Sequence, residues 1–320
     1  MKVGLIGIGG MGFVHFNCYK KMADMEIAVA DVRVDMAKEK VNDASINVYG
    51  SLTELLANED VDFVDICTPS YLHAELTVAA LNAGKHVLCE KPMSTSSEES
   101  AKMIEAAEKN GKLLMVAHVV RFMAPYAYLR EVIKSNELGR LLRLDMKRVS
   151  AIPTWSWEDW MRDEKRSGGV TTDLSIHDLD FVQSVLGMPD TIQSYRYNMK
   201  DNNDTVVTNM TYGDTLVSCE GTWYNTGIPF HATFLAVFQN GSLELSDKLY
   251  KNGVPVEAEE AKAEEVDLGI NVGNDDGYLN EMQYFVNCII ENKKPDFVTA
   301  ESSAQSVLLA DMIKKKAKKL

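Results

Sequence analysis

Three groups of residues in this chain have the types and spacing that chemistry requires. A glycine-rich segment near the start reads Gly7-Ile8-Gly9-Gly10-Met11-Gly12, the G-x-G-x-x-G pattern that lets backbone amides approach a pyrophosphate. Lys91 carries an ammonium that could stabilise negative charge developing on a substrate oxygen. Asp173 and His177 are four residues apart, and an imidazole that titrates near neutral pH can take a proton from a hydroxyl.

The glycine-rich segment lies where a dinucleotide-binding loop must lie, after a predicted strand and before a predicted helix. Gly7 permits a tight turn, Gly9 lets the backbone approach the phosphates, and Gly12 lets helix and strand pack closely. Roughly 20 residues on, Asp31 ends the second predicted strand, where it could bind the ribose hydroxyls of NAD and repel a 2′-phosphate. Arg33 could instead bind that phosphate. We predict NAD as the cofactor, with NADP as the alternative.

Lys91 follows a strand of the predicted parallel sheet at its carboxyl end, where ligands bind in open α/β folds. Pro92 restricts the residue before it to extended conformations. Asp173 and His177 would share one face of a predicted helix. We predict that His177 is the general base, that Lys91 binds the same hydroxyl and steadies the alkoxide, and that the aspartate orients His177 or a neighbouring hydroxyl. The alternatives are a solvated lysine and a helix salt bridge worth about 0.2–0.5 kcal/mol.

Composition and charge bound the class of protein. The 320 residues, 46% apolar and 25% charged, are typical of a globular chain long enough for two domains. Lys and Arg number 33 and Asp and Glu 47, and the resulting net charge of −14 argues against nucleic acid and anionic membranes as partners. The five cysteines show no C-x-x-C spacing, so we predict free thiols in a reducing cytoplasm and no metal site. No apolar run is long enough to span a bilayer.

Short apolar runs alternate with helix-length amphipathic stretches up to about residue 117, which is the pattern of βαβ units. Ser51 with Glu54, and Ser96 with Glu99, fit capping boxes at helix starts. We predict a Rossmann domain with a doubly wound parallel sheet over residues 1–120. Its strands are predicted at 2–7, 26–31, near 48, and at 61–68, 86–90 and 112–117.

After about residue 120 polar and apolar residues alternate along longer strands, which favours an antiparallel sheet with one helical face. Strands are predicted at 141–149, 191–200, 205–212, 215–224, 231–240 and 242–246, and helices at 124–135, 172–186, 278–291 and 301–319. Asp178 and Asp180 are expected to cap their helix or to lie on the surface, and the acidic stretch 257–267 is expected to be an exposed loop. We assign residues 121–320 to an α+β domain with a large, mostly antiparallel open sheet, whose final helix could pack back on the first domain.

A set of motifs taken together resembles the Gfo/Idh/MocA oxidoreductases. The motifs are the glycine pattern, Cys67-Thr68-Pro69 followed by His73, Gly84-Lys85-His86-Val87 running into Glu90-Lys91-Pro92, and Gly168-Gly169 followed by Asp173 and His177 in D-x-x-x-H spacing. The combination of Glu-Lys-Pro with D-x-x-x-H is specific. The resemblance extends over most of the chain.

The resemblance implies roles for further residues on the cofactor side. Thr68, Pro69 and His73 match the family's loop beside the nicotinamide, although His73 could simply begin the next helix. Glu90 and Lys91 belong to the same side through their motif.

On the substrate side, His118 and Arg121 lie where similar family members approach the substrate cleft, and Arg121 could equally form an interdomain salt bridge. Trp155 could stack on the apolar face of a sugar ring or pack in a core or interface. With Lys91, Asp173 and His177, these residues form the predicted substrate site.

The resemblance also implies an NAD(P)-dependent enzyme that transfers a hydride between a nicotinamide cofactor and a secondary hydroxyl of a sugar, sugar derivative or inositol. The alternative is a redox-neutral NAD-dependent enzyme that modifies a sugar or cleaves a glycoside and regenerates its cofactor. A non-catalytic dinucleotide sensor is the third interpretation. We expect a dimer or tetramer formed through the second sheet, a cytoplasmic location, and no nucleic-acid or membrane partner.

Overall fold

A computed structural model describes residues 1–198, 203–256 and 277–320, which form two compact units. The first unit contains residues 1–119 together with Tyr278–Ala304, and the second contains residues 120–198, 203–256 and 305–320. The sequence analysis placed all of 121–320 in one domain, so the membership of Tyr278–Ala304 is a difference from that expectation. The acidic stretch 257–267 lies outside the described residues.

The secondary structure alternates strictly only in the first part of the chain. The strands are β1 Lys2–Ile6, β2 Glu26–Ala30, β3 Val48–Tyr49, β4 Phe63–Ile66, β5 His86–Glu90, β6 Leu114–Ala117, β7 Leu141–Ala151, β8 Thr191–Asn198, β9 Asp204–Tyr212, β10 Thr215–Tyr224, β11 His231–Phe238, β12 Gly241–Leu245, β13 Leu249–Lys251, β14 Val254–Pro255 and β15 Lys318–Lys319. The helices are α1 Gly10–Lys21, α2 Val34–Val41, α3 Leu52–Asn58, α4 His73–Asn82, α5 Ser97–Asn110, α6 Ala124–Ser135, α7 Glu164–Ser167, α8 Gly169–Asp173, α9 Ile176–Leu186, α10 Gly277–Ile290 and α11 Ala300–Lys316. Among the described residues, no helix combines the length and the apolar character that a membrane crossing needs.

The first unit is built on a six-stranded parallel sheet in the order β3-β2-β1-β4-β5-β6, which confirms the doubly wound prediction. Strands of such a sheet are covered on both faces, so they consist mostly of buried apolar residues. Two acidic side chains interrupt this core. Asp65 in β4 is fully buried, and Glu90 at the end of β5 is 5% exposed.

Helix α10 packs on this sheet although it lies far along the chain. The ring of Phe285 meets Phe63 of β4 edge-on at 5.8 Å, and Phe63 meets Tyr19 of α1 at 5.9 Å. Such aromatic contacts contribute about 0.5–1.5 kcal/mol each beyond the area they bury. The Phe285 contact joins α10 to the sheet of the first unit, to which Tyr278–Ala304 belongs.

The two predicted helix caps of the first unit are confirmed. The Ser51 hydroxyl accepts from the Glu54 amide at 3.1 Å, and the Ser96 hydroxyl accepts from the Glu99 amide at 3.3 Å. The Glu54 carboxylate in turn accepts from the Gly50 amide at 2.7 Å. Each cap satisfies amides that the first helical turn leaves without a backbone partner.

The second unit contains, within the described residues, a nine-stranded sheet in the order β14-β13-β12-β11-β7-β10-β9-β8-β15. Most neighbours are antiparallel, as predicted, but β7 and β10 in the middle run parallel, and so do β8 and β15 at one edge. Parallel neighbours need a crossover connection. Between β7 and β10 the chain provides one that includes α7, α8 and α9.

The single helix predicted over 172–186 is interrupted. Helix α8 ends at Asp173 and α9 begins at Ile176. The amides of Leu174 and Ser175 both donate to Val170 O, at 3.1 and 2.8 Å, so the regular succession of helical hydrogen bonds stops there. Asp173 and His177 therefore lie on two successive short helices, and the expectation of one shared helix is wrong.

Candidate active site

The glycine loop between β1 and α1 has the geometry of an anion-binding turn. Gly7 has a φ of +85°, and a Cβ there would lie 2.7 Å from Cys67 O. A Cβ on Gly12 would lie 1.9 Å from Gly7 O, so only glycine fits. Within the described part of the chain, no atom lies within 4 Å of a Cβ built on Gly9, and no side chain caps the helix that follows it. Free amides at a helix start beside open space suit a pyrophosphate, so these residues fit a dinucleotide.

Asp31 connects the end of β2 to this loop. Its Oδ2 accepts from the Ile8 amide at 3.0 Å, and its Oδ1 accepts from the Arg33 amide at 2.9 Å. The Arg33 guanidinium also donates to Oδ1, at 3.3 Å. Asp31, which favours NAD, and Arg33, which would favour NADP, thus form one ion pair. In this pair the carboxylate compensates the charge of the arginine.

Lys40 lies on α2 and contacts the glycine loop, a role that was not predicted from the sequence. Its Nζ donates to Ile8 O and Gly9 O, at 3.0 Å each, and lies 5.6 Å from the centroid of the Phe13 ring. The ammonium therefore supports the carbonyl side of the glycine loop. A lysine on an amphipathic helix looks like a solvated charge in sequence, so no local pattern marks this contact.

The segment Glu90-Lys91-Pro92 follows β5 at the same edge of the sheet as the glycine loop. The Lys91 amide donates to Glu90 Oε2 at 2.8 Å, and the peptide bond to Pro92 is cis. His73 begins α4 and is 1% exposed. Its ring nitrogens lie 2.7 Å from Pro92 O and 2.9 Å from Thr68 O, and burial lowers its pKa against the opposing effect of these carbonyls. His73 thereby links the loop after β4 to the lysine segment.

Behind these loops lies a buried group of polar side chains, which we call the His15 cluster: His15, Tyr19, Asp65, Cys67 and Glu90. The His15 Nδ1 lies 2.8 Å from Asp65 Oδ2 and 3.3 Å from Cys67 Sγ. On the other side of the ring, Nε2 lies 3.2 Å from Glu90 Oε1, an ion-pair contact without the alignment of a hydrogen bond. The Tyr19 hydroxyl donates to Asp65 Oδ2 at 2.8 Å.

Protonation in the His15 cluster follows from these contacts. Burial acts to lower the pKa of His15, but the neighbouring Cys67 and Asp65 raise it well above its ordinary value. Burial acts to raise the pKa of Glu90, but His15 and Lys91 bring it below its ordinary value. The raised pKa of His15 and the lowered pKa of Glu90 both favour the charged forms, an imidazolium facing an ionised carboxylate.

Three members of the cluster also have metal-ligand types. Ligand atoms of His15, Asp65 and Cys67 lie within 4.8 Å of one another. Burial raises the pKa of the Cys67 thiol well above its ordinary value, and the histidine holds its proton, whereas metals bind the deprotonated forms. We therefore describe a hydrogen-bonded cluster, and the absence of a metal site stays a prediction.

In the second unit, Asp173 is 5% exposed at the end of α8, and His177 is partly exposed in the first turn of α9. The start of α8 is anchored to the sheet, because Asp204 Oδ2 accepts from the Val170 amide at 3.0 Å. Arg196 donates to both oxygens of the same aspartate, at 2.9 and 2.7 Å. Lys91 belongs to the first unit, and its joint role with Asp173 and His177 stays a prediction.

The two aspartates that follow on α9 are buried, so the expected capping or surface role is wrong. Arg148 Nη2 donates to Asp178 Oδ1 at 2.7 Å. Arg121 donates to both oxygens of Asp180, at 2.8 and 2.7 Å. Both of these residues lie in the second unit, and the substrate role of Arg121 stays a prediction.

The remaining predicted substrate residues differ in exposure. His118 is 1% exposed, whereas the Trp155 side chain is 72% exposed and presents its ring to solvent. Their contact with a substrate stays a prediction.

Two family models match this chain, one in its first part and one in its second part. Residues 1–118 match the model of the Gfo/Idh/MocA "Oxidoreductase family, NAD-binding Rossmann fold", and residues 126–244 match the model of the "GFO/IDH/MocA C-terminal domain". NAD is accordingly the cofactor of the first unit.

Two curated relatives each match a little less than three fifths of the chain. One is myo-inositol 2-dehydrogenase of Thermotoga maritima, 31% identical over 58% of this chain and 55% of the relative. The other is D-glucoside 3-dehydrogenase of Escherichia coli, 33% identical over 59% of this chain and 55% of the relative. The matched stretch thus spans little more than half the length of these relatives.

A solved structure resembles the whole chain. A levoglucosan dehydrogenase in complex with NADH and levoglucosan superimposes with a TM-score of 0.82, covering 99% of this chain and 97% of that one at 23% identity. At this identity the likeness shows the fold.

Proposed function

Because this chain belongs to the Gfo/Idh/MocA family of oxidoreductases, we propose that it transfers a hydride between NAD and a secondary hydroxyl of a sugar, sugar derivative or inositol. The observation that carries the proposal is the position of Lys91, which follows β5 at the same sheet edge as the glycine loop. The two curated relatives support the substrate class, because their names specify an inositol and a glucoside.

In this proposal the substrate hydroxyl is held by two side chains. The Lys91 ammonium donates to the hydroxyl oxygen and stabilises the charge of the alkoxide as it forms. His177 accepts the proton as general base, and Asp173 orients the imidazole or a neighbouring hydroxyl. Bound NAD supplies the acceptor for the hydride that leaves the same carbon.

A screen of candidate substrates tests this activity directly. NAD and NADP are each offered with sugars, sugar acids and inositols at mildly alkaline pH, and NADH formation is followed. We expect net NADH with at least one polyol and a preference for NAD, since the Asp31 carboxylate repels a 2′-phosphate. Product without net NADH would instead identify the redox-neutral alternative, and a large preference for NADP would contradict the cofactor assignment.

The role of His177 is tested by His177→Ala, which should lower kcat by about two to four orders of magnitude with NAD binding retained. The matched control is His231→Ala, an exposed histidine of β11 in the same unit, which should leave kcat unchanged. A near-native kcat for His177→Ala would rule out the assigned role.

Assembly and location complete the proposal. Leu216 of β10 and Leu235 of β11 are 40% and 38% exposed, an apolar contribution to the open face of the second sheet. We expect this sheet to pair between subunits in a dimer or tetramer, which light scattering would measure. The net charge supports the absence of a nucleic-acid partner, and the five free cysteines support a cytoplasmic location.

A further inference from the structure

The His15 cluster contains a cation that the proposed chemistry does not use. His15 lies on α1 and is fully buried, and both of its ring nitrogens face a carboxylate. A neutral imidazole has one N–H, whereas an ionised carboxylate can only accept. Only the imidazolium therefore places a positive charge, with an N–H on each side of the ring, between the two carboxylates.

The groups around this ring come from two strands, the loop after one of them, and one helix. Asp65 of β4, Cys67 after β4 and Glu90 of β5 contact it. From α10, the Tyr278 ring lies 6.4 Å away, and Glu281 is fully buried, with no hydrogen-bond partner for either carboxylate oxygen among the residues that the structure describes. Burial raises the pKa of Glu281 well above its ordinary value, against the opposing effect of His15, and so favours the neutral acid, which attracts the imidazolium less than the carboxylates of Asp65 and Glu90 do.

Glu90 connects the imidazolium to the lysine segment. One oxygen, Oε1, faces His15 at 3.2 Å, and the other, Oε2, accepts the Lys91 amide at 2.8 Å. The carboxylate is thus held from both ends. The opposite side of the segment is held as well, because His73 contacts Pro92 O.

We propose that His15 is a positioning residue, which fixes the Glu90 carboxylate and through it the backbone from which Lys91 reaches the substrate. The role of Lys91 rests on the proposed function, but the effect of His15 on its backbone does not. Without the imidazolium, Glu90 is a buried carboxylate with no cation on its inner side. It then takes up a proton or turns away, and the Lys91 amide loses its acceptor.

The test that needs no substrate is hydrogen exchange in the full-length protein. In His15→Gln we expect the backbone amide of Lys91 to exchange faster than in the native protein, measured on peptides that contain residues 88–91. The matched control is Tyr19→Phe, which removes another buried hydrogen bond of the cluster, one whose acceptor is Asp65 and not Glu90. Native exchange at Lys91 in His15→Gln, or equal acceleration in both variants, would overturn the proposal.

Kinetics on a substrate from the screen separates positioning from general destabilisation. His15→Gln should lower kcat about tenfold to a hundredfold, with the KM for NAD little changed, because the misplaced group acts on the reacting hydroxyl. Glu90→Gln should give a similar loss, and the double variant should lose no more than either single one. Losses that multiply would show independent roles and refute the connection.

If His15→Gln does not fold, Glu90→Gln carries the exchange test, since its neutral amide oxygen is a weaker acceptor for the Lys91 amide. Unchanged exchange in that variant would equally overturn the proposal. Absence of turnover by the native protein on every polyol would count against the proposed function alone, because the exchange result is independent of substrate.

Discussion

Both buried aspartates of α9 in the second unit meet an arginine, whereas in the first unit a histidine stands between two buried carboxylates. Arg121 and Arg148 donate through their planar guanidinium groups, at distances between 2.7 and 3.3 Å. His15 makes one close contact, to Asp65, and one longer and poorly aligned contact, to Glu90.

The difference shows which buried charges can respond to conditions. A guanidinium stays protonated at any pH at which the protein is folded, so the arginine pairs keep their charge. An imidazolium titrates, and the neutral Glu281 beside it ionises if the pH rises far enough. The buried ion pairs of α9 in the second unit therefore stay charged. The His15 cluster of the first unit instead contains buried groups whose protonation depends on their neighbours.

The largest effect should come from breaking a permanent pair. Asp180→Ala leaves Arg121 as a buried cation without its carboxylate, and we expect it to lower the free energy of unfolding by about 3–5 kcal/mol. Urea unfolding at neutral pH measures this. The control is Asp214→Asn, which removes an 86% exposed carboxylate paired with Arg140 and should cost less than about 1 kcal/mol. Similar losses in the two variants would mean that burial of the pair is unimportant.

A smaller change at Arg196 keeps the positive charge and removes the planar guanidinium group. Arg196→Lys retains a cation beside Asp204 but can no longer donate to both of its oxygens. We expect a loss of about 2 kcal/mol, the value of a hydrogen bond to a charged group, in the same unfolding experiment. A lysine variant as stable as the native protein would show that charge alone matters at this pair.

The first unit should respond in the opposite direction at Glu281. Its folded-state pKa lies well above 4.5, so the unfolded chain ionises first and native stability falls as the pH rises above that value. Glu281→Gln removes the ionisation and should raise the free energy of unfolding at neutral pH. The gain should vanish below pH 4.5, where the glutamate is neutral in both states. A gain that is the same at both pH values would contradict this account.

The smallest effect should come from an exposed pair in the first unit. Lys102 and Glu98 are four residues apart on α5 and lie 3.0 Å apart, with side chains 61% and 82% exposed. Lys102→Gln should cost about 0.3–0.5 kcal/mol. A loss as large as that of Asp180→Ala would remove the distinction between buried and exposed pairs.

Features set by neighbouring residues could be predicted from the sequence. The glycine loop, the six parallel strands and the caps at Ser51 and Ser96 each depend on a few consecutive residues, and each is present.

Features that depend on distant partners could not be predicted. Asp178 and Asp180 look like surface acids because their arginines stand 30 and 59 positions earlier in the chain. Asp65 is unusual in the sequence, because it is an acidic residue within the apolar run of β4. Its partner His15, however, is 50 positions away and could not be identified. The break between α8 and α9 arises from hydrogen bonds to one carbonyl, which no residue pattern marks.

The return of α10 to the first sheet affects the order in which this protein can be completed. A ribosome releases residues 1–120 long before Phe285 exists, so until then Phe63 lacks an aromatic contact that the finished unit has. A fragment truncated at residue 120 should accordingly expose apolar surface and aggregate more readily than the whole chain. The first unit is therefore finished only after most of the second unit has been made.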